Sequence, residues 1–318
     1  MVAVPSSPVL NAPALLPIQL DEQRLLSWFQ QPSLVAPDGR IRSWLDRDHS
    51  GYEYDEATAL VVRLFDWLGW SQRADPLRRV VQARIDANQW LQRRGTSYVF
   101  DTALALWILE DPTPVAHRVL GWLQERQVCE PVTDSERWSQ SFGPHLIKCA
   151  GPLFALGYGR EVQPVVDHLV RTCFDGERFR IHPRSEGTYV HSHCYGLEGL
   201  LATGQHPDVA RTGADWLARL QRTDGALPAW VGCLADPRWP TDVVAQAIRI
   251  WAIIDRERYA PYIDRALFRL ASLQCLDSGG IAYSPQHPHE NSWVGVFGLQ
   301  AASWARGTPH EEMVQWLI

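Results

Sequence analysis

The feature that most constrains this chain is a repeat. Helical patterns alternate with loops rich in Gly, Asp, Tyr and Trp, and the unit returns about every 45 residues. Each unit reads as an amphipathic helix, a loop, and a second, more apolar helix. The apolar set spans 55–69, 99–111, 143–157, 191–204, 241–254 and 291–305. Segments such as "TDVVAQAIRIWAII" are apolar nearly all round, the mark of a buried helix, and their Ala and Gly residues let neighbouring helices approach closely. The amphipathic set spans 21–31, 75–93, 114–127, 160–174, 208–222 and 260–274. In "ADWLARLQRTDG" apolar residues recur at i, i+3, i+4 and i+7 with Arg, Asp and Gln between. Six buried and six amphipathic helices in alternation predict an inner and an outer ring. The expected fold is all-α, a single α/α toroid of six helical hairpins. An open solenoid would end in a polar capping repeat, whereas the last apolar helix here is fully apolar, so the ring is expected to close. No strand pattern competes. Residues 174–183 and 281–285 read as short hairpin-like loops.

No Pro/Gly/Ser-rich linker divides the 318 residues. One toroid domain is expected over 21–318, preceded by an extended arm over 1–20 that carries Pro5, Pro8, Pro13 and Pro17. The arm has no positive n-region and reads as neither a signal peptide nor a membrane span. No later apolar run approaches the ~18–20 residues that cross a bilayer. The six cysteines, Cys129, Cys149, Cys173, Cys194, Cys233 and Cys275, form no CxxC. Without a secretory signal they are expected as free thiols in a reducing, cytoplasmic setting. A formal charge of −6 with no basic block argues against nucleic acid. A small-molecule substrate is the expected partner, and oligomeric state is not readable. Fifteen Trp residues are either plugs between helices or the lining of an aromatic pocket.

Several units share a local signature in which an outer helix ends in Trp/Phe-Leu, then Gln, then Gly, then an aromatic. It comprises Trp216, Leu217, Gln221, Gly225 and Trp230 in one unit, and Phe268, Gln274, Gly279, Gly280 and Tyr283 in another. A shortened form holds Trp90, Leu91, Gln92, Gly95 and Tyr98. This resembles the Gln–Trp repeat of the terpenoid cyclase and protein prenyltransferase superfamily, in which the glutamine caps backbone at the helix end. The Asp-x-Asp-Asp motif of those cyclases is missing, and the nearest string holds Asp46 and Asp48. The prenyltransferase zinc triad is missing too, with Ser192 at its histidine position. A second resemblance is to six-hairpin glycosidase, epimerase and lyase toroids. It is carried by "SGYEYDEATALVVRLFDWL" (50–68) and "HSHCYGLEGLL" (191–201).

In a toroid the inner helices run the same way, so their N-termini converge at one mouth. Unpaired N–H groups and the positive dipole ends make that mouth a natural site for polar or anionic ligands. The six starts supply Glu53, Tyr54, Asp55 and Glu56; Tyr98 and Asp101; Trp138, His145 and Lys148; His191, His193 and Tyr195; Asp242 and Gln246; and His289, Glu290, Asn291 and Trp293. Of Asp55 and Glu56 only one can face inward, and Glu56 is preferred because its helix face includes Leu60 and Arg63. Carboxyl and imidazole groups suit proton transfer, so the catalytic candidates are Glu56, Asp101, His145, His191, His193, Asp242 and Glu290. The substrate-binding candidates are Tyr54, Trp138, Lys148, Tyr195, Gln246, Asn291 and Trp293, the Trp rings stacking on sugar faces. The structural alternative makes Asp101 and Asp242 helix caps and one histidine a core residue. No cofactor is expected. A zinc alternative would take His191 and His193 with Asp242, Cys194 or Glu290. Lys148, Glu198 and Arg249 lie inside apolar helices, either as a buried network or at the mouth.

Together these features predict an enzyme acting on a sugar or other polar or anionic small molecule by acid/base chemistry: hydrolysis, elimination or epimerisation. The alternatives are a terpene-cyclase-like or prenyl-binding protein with an aromatic central cavity, and a non-catalytic binding toroid.

Overall fold

The structure, a computed structural model, describes residues 19–46, 51–93, 95–125, 142–232 and 238–317. The inner helices are α2 (Asp55–Trp67), α4 (Val99–Ala105), α6 (Ala150–Ala155), α8 (Val190–Thr203), α10 (Thr241–Asp255) and α12 (Ser292–Ala305). The outer helices are α1 (Glu22–Trp28), α3 (Ser71–Asn88), α5 (Thr113–Glu125), α7 (Gly159–Cys173), α9 (Pro207–Leu220) and α11 (Ala260–Ser272). Inner helices pack on one another in order, and α12 packs against α2 to close the ring. One continuous apolar cluster runs between the rings.

Each inner helix folds back onto the outer helix that follows it, and the sixth hairpin is assembled from the two ends of the domain, α12 with α1. Several contacts secure this closure. The Gln274 side chain accepts from the Asp21 N–H and donates to the Asp21 and Gly279 carbonyls. Arg306 pairs with Glu22. A two-residue ladder joins β1 (Trp44–Leu45) to β6 (Glu290–Asn291). Among the described residues, β structure is otherwise limited to the ladders β2 (Gln92–Arg93) with β3 (Thr96–Ser97) and β4 (Thr188–Tyr189) with β5 (Trp230–Val231), plus single bridges Val35–Ile41, Arg42–Glu53, Phe174–Phe179, Gln274–Ile281 and Ala282–Glu290.

The Gln and Gly of the repeat signature act together as a staple between outer helices. Gln221 donates to the Tyr262 carbonyl of α11 and accepts from Arg265. Gly225, at φ +83°, presses against the same helix, and a Cβ there would sit 2.2 Å from the Arg265 carbonyl oxygen. Gln274 and Gly279 make the equivalent staple to α1, with Gly279 facing the Arg24 carbonyl. The shortened form differs, because Gln92 reaches only Ser97 and Gly95 meets nothing nearby. Gly225→Ala combines a strained φ with a backbone overlap, so it should cost more than about 2 kcal/mol in urea unfolding. A loss below about 0.5 kcal/mol, the range of ordinary surface changes, would reject the staple.

Two elements depart from expectation. The third inner helix opens as a 3₁₀ stretch, Pro144–Cys149, before α6. Pro152 has no N–H to offer the Lys148 carbonyl, so one bond of an α-helical ladder is missing at this point. α8 lies close against the stretch: a Cβ on Gly199 would be 2.4 Å from the Ile147 carbonyl. A further helix, α13 (His310–Trp316), was not expected and seals the end opposite the inner-helix starts. Gln300 donates to the Trp316 carbonyl, and the Arg63 guanidinium is sandwiched between the Trp107 and Trp316 rings at 4.6 and 4.2 Å.

No helix among the described residues is long and apolar enough to cross a membrane. Cys149, Cys173, Cys194 and Cys275 are free thiols, and Cys129 and Cys233 lie outside the described residues.

Candidate active site

A cavity of about 510 Å³ opens at the inner-helix N-termini, a volume in the range of small-molecule sites. α2 contributes Glu56 and the preceding Tyr54. α4 contributes Phe100 and the preceding Tyr98. α8 contributes His191, Tyr195 and the preceding Tyr189. α10 contributes Asp242, and α12 contributes Trp293 with its cap Asn291. Loops add Trp44, Tyr52, Arg93, Arg238, Tyr283 and His289. The walls are therefore aromatic, with carboxyl, imidazole and guanidinium groups set among them.

Adjacent positions on α2 divide by face. Asp55 points outward into a bidentate pair with Arg84 at 2.6 and 2.9 Å, and Glu56 points into the cavity. The Tyr195 hydroxyl donates to Glu56 Oε1 at 3.1 Å. Burial raises the proton affinity of Glu56 above the ordinary carboxylate range, while Trp293, His191, Tyr195 and Lys148 work in the opposite direction. Behind it Asp101 is buried and held well above the usual range, first by burial and then by the neighbouring Glu56 and Asp55 carboxyls.

Elsewhere on the cavity wall, His191 Nδ1 lies 3.2 Å from Asp242 Oδ2. The other Asp242 oxygen accepts from the Val243 N–H at 2.8 Å, so the first turn of α10 orients the carboxyl, whose second oxygen sits at ion-pair distance from the imidazole. The His191 ring stands edge-on to Tyr195 at 4.3 Å. One carboxyl with raised proton affinity and one His–Asp couple thus share a small aromatic chamber. Such an arrangement can deliver a proton to one part of a substrate and remove one from another.

Of the expected residues, Tyr54, Glu56, His191, Tyr195, Asp242, Asn291 and Trp293 line the cavity. Asn291 also caps α12, accepting from the Trp293 and Val294 N–H groups. The other expected residues lie away from the cavity wall or outside the described residues. His193 faces the outer ring, where Nδ1 accepts from the Phe179 N–H, Nε2 lies 3.3 Å from the Gly213 carbonyl, and the ring packs on Trp216. Burial pushes its imidazole down to about 3, so it stays neutral. Glu290 turns outward to the Trp28 indole at 2.5 Å and to Ser278. His145 is buried against the far side of Phe100. Asp101 sits behind Glu56 and does not line the wall. Lys148 and Gln246 lie beneath the floor on Glu198. Trp138 lies outside the described residues. His191 and His193 face opposite sides of α8 and do not form a ligand pair. Among the described residues no group of three or more His, Cys, Asp or Glu side chains is gathered for a metal ion.

No protein-family profile matches the sequence, and no curated protein matches it. Solved structures match in fold. An unsaturated glucuronyl hydrolase specific for heparin gives a TM-score of 0.66 at 9% identity, covering 89% of this chain and 96% of that one. A sugar epimerase from a ruminal bacterium gives 0.65 at 12% identity, covering 91% and 97%. An alpha-amylase from Clostridium perfringens gives 0.68 at 12% identity, covering 89% and 97%. Likeness at these identities speaks to fold: the chain is a six-hairpin α/α toroid. It lends the terpenoid-cyclase and prenyltransferase side of the sequence resemblance no support.

Proposed function

We propose that this protein is an enzyme acting by acid/base chemistry on a sugar that carries an acidic group. The observation that carries the reading is the pairing, inside one cavity, of Glu56 with the His191–Asp242 couple. Glu56 serves as the acid, protonating a departing oxygen or a carbon centre. His191, oriented by Asp242, serves as the base toward water or a sugar C–H. Hydrolysis, elimination and epimerisation all need this donor and acceptor. Trp44, Tyr54 and Trp293 offer flat faces for a sugar ring, and Arg93 and Arg238 at the rim suit a carboxylate or sulfate. The names of the similar structures, which include a glucuronyl hydrolase and a sugar epimerase, point to the same substrate class. A terpene-cyclase reading asks for a dry hydrocarbon chamber and fits poorly with a wall bearing two arginines, two histidines and two carboxyl groups.

The test is a panel of neutral and acidic mono- and disaccharides, saturated and 4,5-unsaturated, followed by proton NMR in D₂O. That readout detects bond cleavage, elimination and exchange at carbon alike. Turnover is expected for acidic sugars, and Arg93→Gln should raise KM about tenfold with kcat little changed, as expected for loss of an interaction made equally in ground and transition states. Binding of sugars without turnover or exchange would instead favour a non-catalytic binding toroid.

A further inference from the structure

Beneath the cavity floor three charged side chains meet inside the inner ring. Glu198 Oε2 lies 2.5 Å from Lys148 Nζ, and Glu198 Oε1 pairs with Arg249. Relative exposures are 0% for Glu198 and Arg249 and 5% for Lys148. Arg249 alone neutralises Glu198 and is further held by Gln300 Oε1 at 2.7 Å and the Phe297 ring at 4.1 Å. A second buried cation is therefore surplus to structure, and an apolar side chain of similar length would fill its place at lower desolvation cost. Its surroundings indicate why a cation stands there. Lys148 Nζ lies 4.3 Å from the centroid of the Tyr195 ring, within cation–π range. The hydroxyl of that same ring donates to Glu56. Phe100 and His191 flank the ring at 4.9 and 4.3 Å. Lys148 thus stands one aromatic ring away from the carboxyl read above as the acid.

We propose that Lys148 is a positioning residue of this site: seated on Glu198 and under the Tyr195 ring, it holds the Tyr195 hydroxyl on Glu56 and supplies the positive field in which Glu56 gives up its proton and takes it back. Without that field, burial and the Asp101 carboxyl behind Glu56 both favour the protonated form. The other charged and titratable groups around Glu56 are Asp101 from α4, His191 and Tyr195 from α8, and Tyr52 and Tyr54 from the segment before α2. Those facing Lys148 are Glu198 and Tyr195 from α8 and Arg249 from α10. The inference rests on the reading of Glu56 as the acid.

The experiment uses the whole chain and needs no substrate. Infrared titration follows the protonated-carboxyl band of Glu56, assigned by its loss in Glu56→Gln. Lys148→Met should move the midpoint up by about one pH unit, a tenfold gain in proton affinity, and Lys148→Arg should return most of that shift. An unmoved midpoint in folded Lys148→Met overturns the proposal. The reciprocal measurement leaves Lys148 in place. Burial holds its ammonium down at about 8, within reach of a lysine Cε NMR titration. Because coupling is mutual, Glu56→Gln should lower that midpoint by the same amount, and an unshifted lysine would equally sink the idea. Failure here is separable from failure of the functional reading. Turnover that survives Glu56→Gln removes the acid assignment, whereas an inactive Glu56→Gln with unmoved midpoints removes only the role of Lys148.

Discussion

Glu56→Gln should reduce kcat by about 10²–10⁴-fold, the usual worth of a positioned acid or base, with KM nearly unchanged. The amide is close to isosteric, and its oxygen can still accept from the Tyr195 hydroxyl, so shape and ring placement survive while the transferable proton is lost. The pH profile supplies a second readout. Burial raises the proton affinity of Glu56, so the acid form persists toward neutral pH and activity should fall as pH rises through the shifted value. That alkaline limb should vanish in any residual activity of Glu56→Gln. Thermal unfolding should not fall, because a buried carboxyl is replaced by a group that cannot ionise. Steady-state kinetics on the best acidic sugar decide the matter, and turnover within fivefold of wild type would exclude Glu56 as the acid.

The rings were legible because an inner helix of a toroid has no solvent face. Its sequence must be apolar all round, and α10 and α12 satisfy this so fully that alternation with amphipathic partners was plain. The partners of the sixth hairpin were not legible, since α12 finds α1 across almost the whole chain and no local pattern announces the pairing. α13 escaped for a related reason: seven residues carry too little periodicity, and it is held by tertiary contacts of Met313 and Trp316. At the site, side-chain direction decided which residues meet. On a helix, neighbours differ by about 100°, which separates cavity-facing Glu56 from outward Asp55. A step of two residues turns about 200°, which separates His191 from His193. On a strand successive side chains alternate, so Asn291 faces in and Glu290 faces out. Residue type alone could not distinguish these pairs. Trp44, Arg93, Tyr189, Arg238 and Tyr283 were not among the site candidates because short ladders and irregular loops bring them to the mouth, as when β1 meets β6.

Glu198→Ala should destabilise the fold by about 3–5 kcal/mol, the penalty for leaving buried charge unpaired, out of the roughly 5–15 kcal/mol that hold a typical domain together. Glu198 is the single anion between two buried cations. Lys148 can relieve part of the penalty by losing its proton, since burial already holds it down at about 8. Arg249 has no such escape, because guanidinium stays protonated throughout the accessible pH range. It would keep Gln300 and the Phe297 face. Part of the loss should therefore be recovered when the cations go as well: a triple Lys148→Met, Glu198→Leu, Arg249→Met variant, with apolar side chains of similar length, should unfold at higher urea than Glu198→Ala alone. Urea unfolding of the two variants beside wild type makes the comparison. If Glu198→Ala costs under about 1 kcal/mol, the range of an exposed ion pair, these charges are better hydrated than the geometry implies. Equal losses in both variants would mean that the cost lies in cavity formation and not in charge.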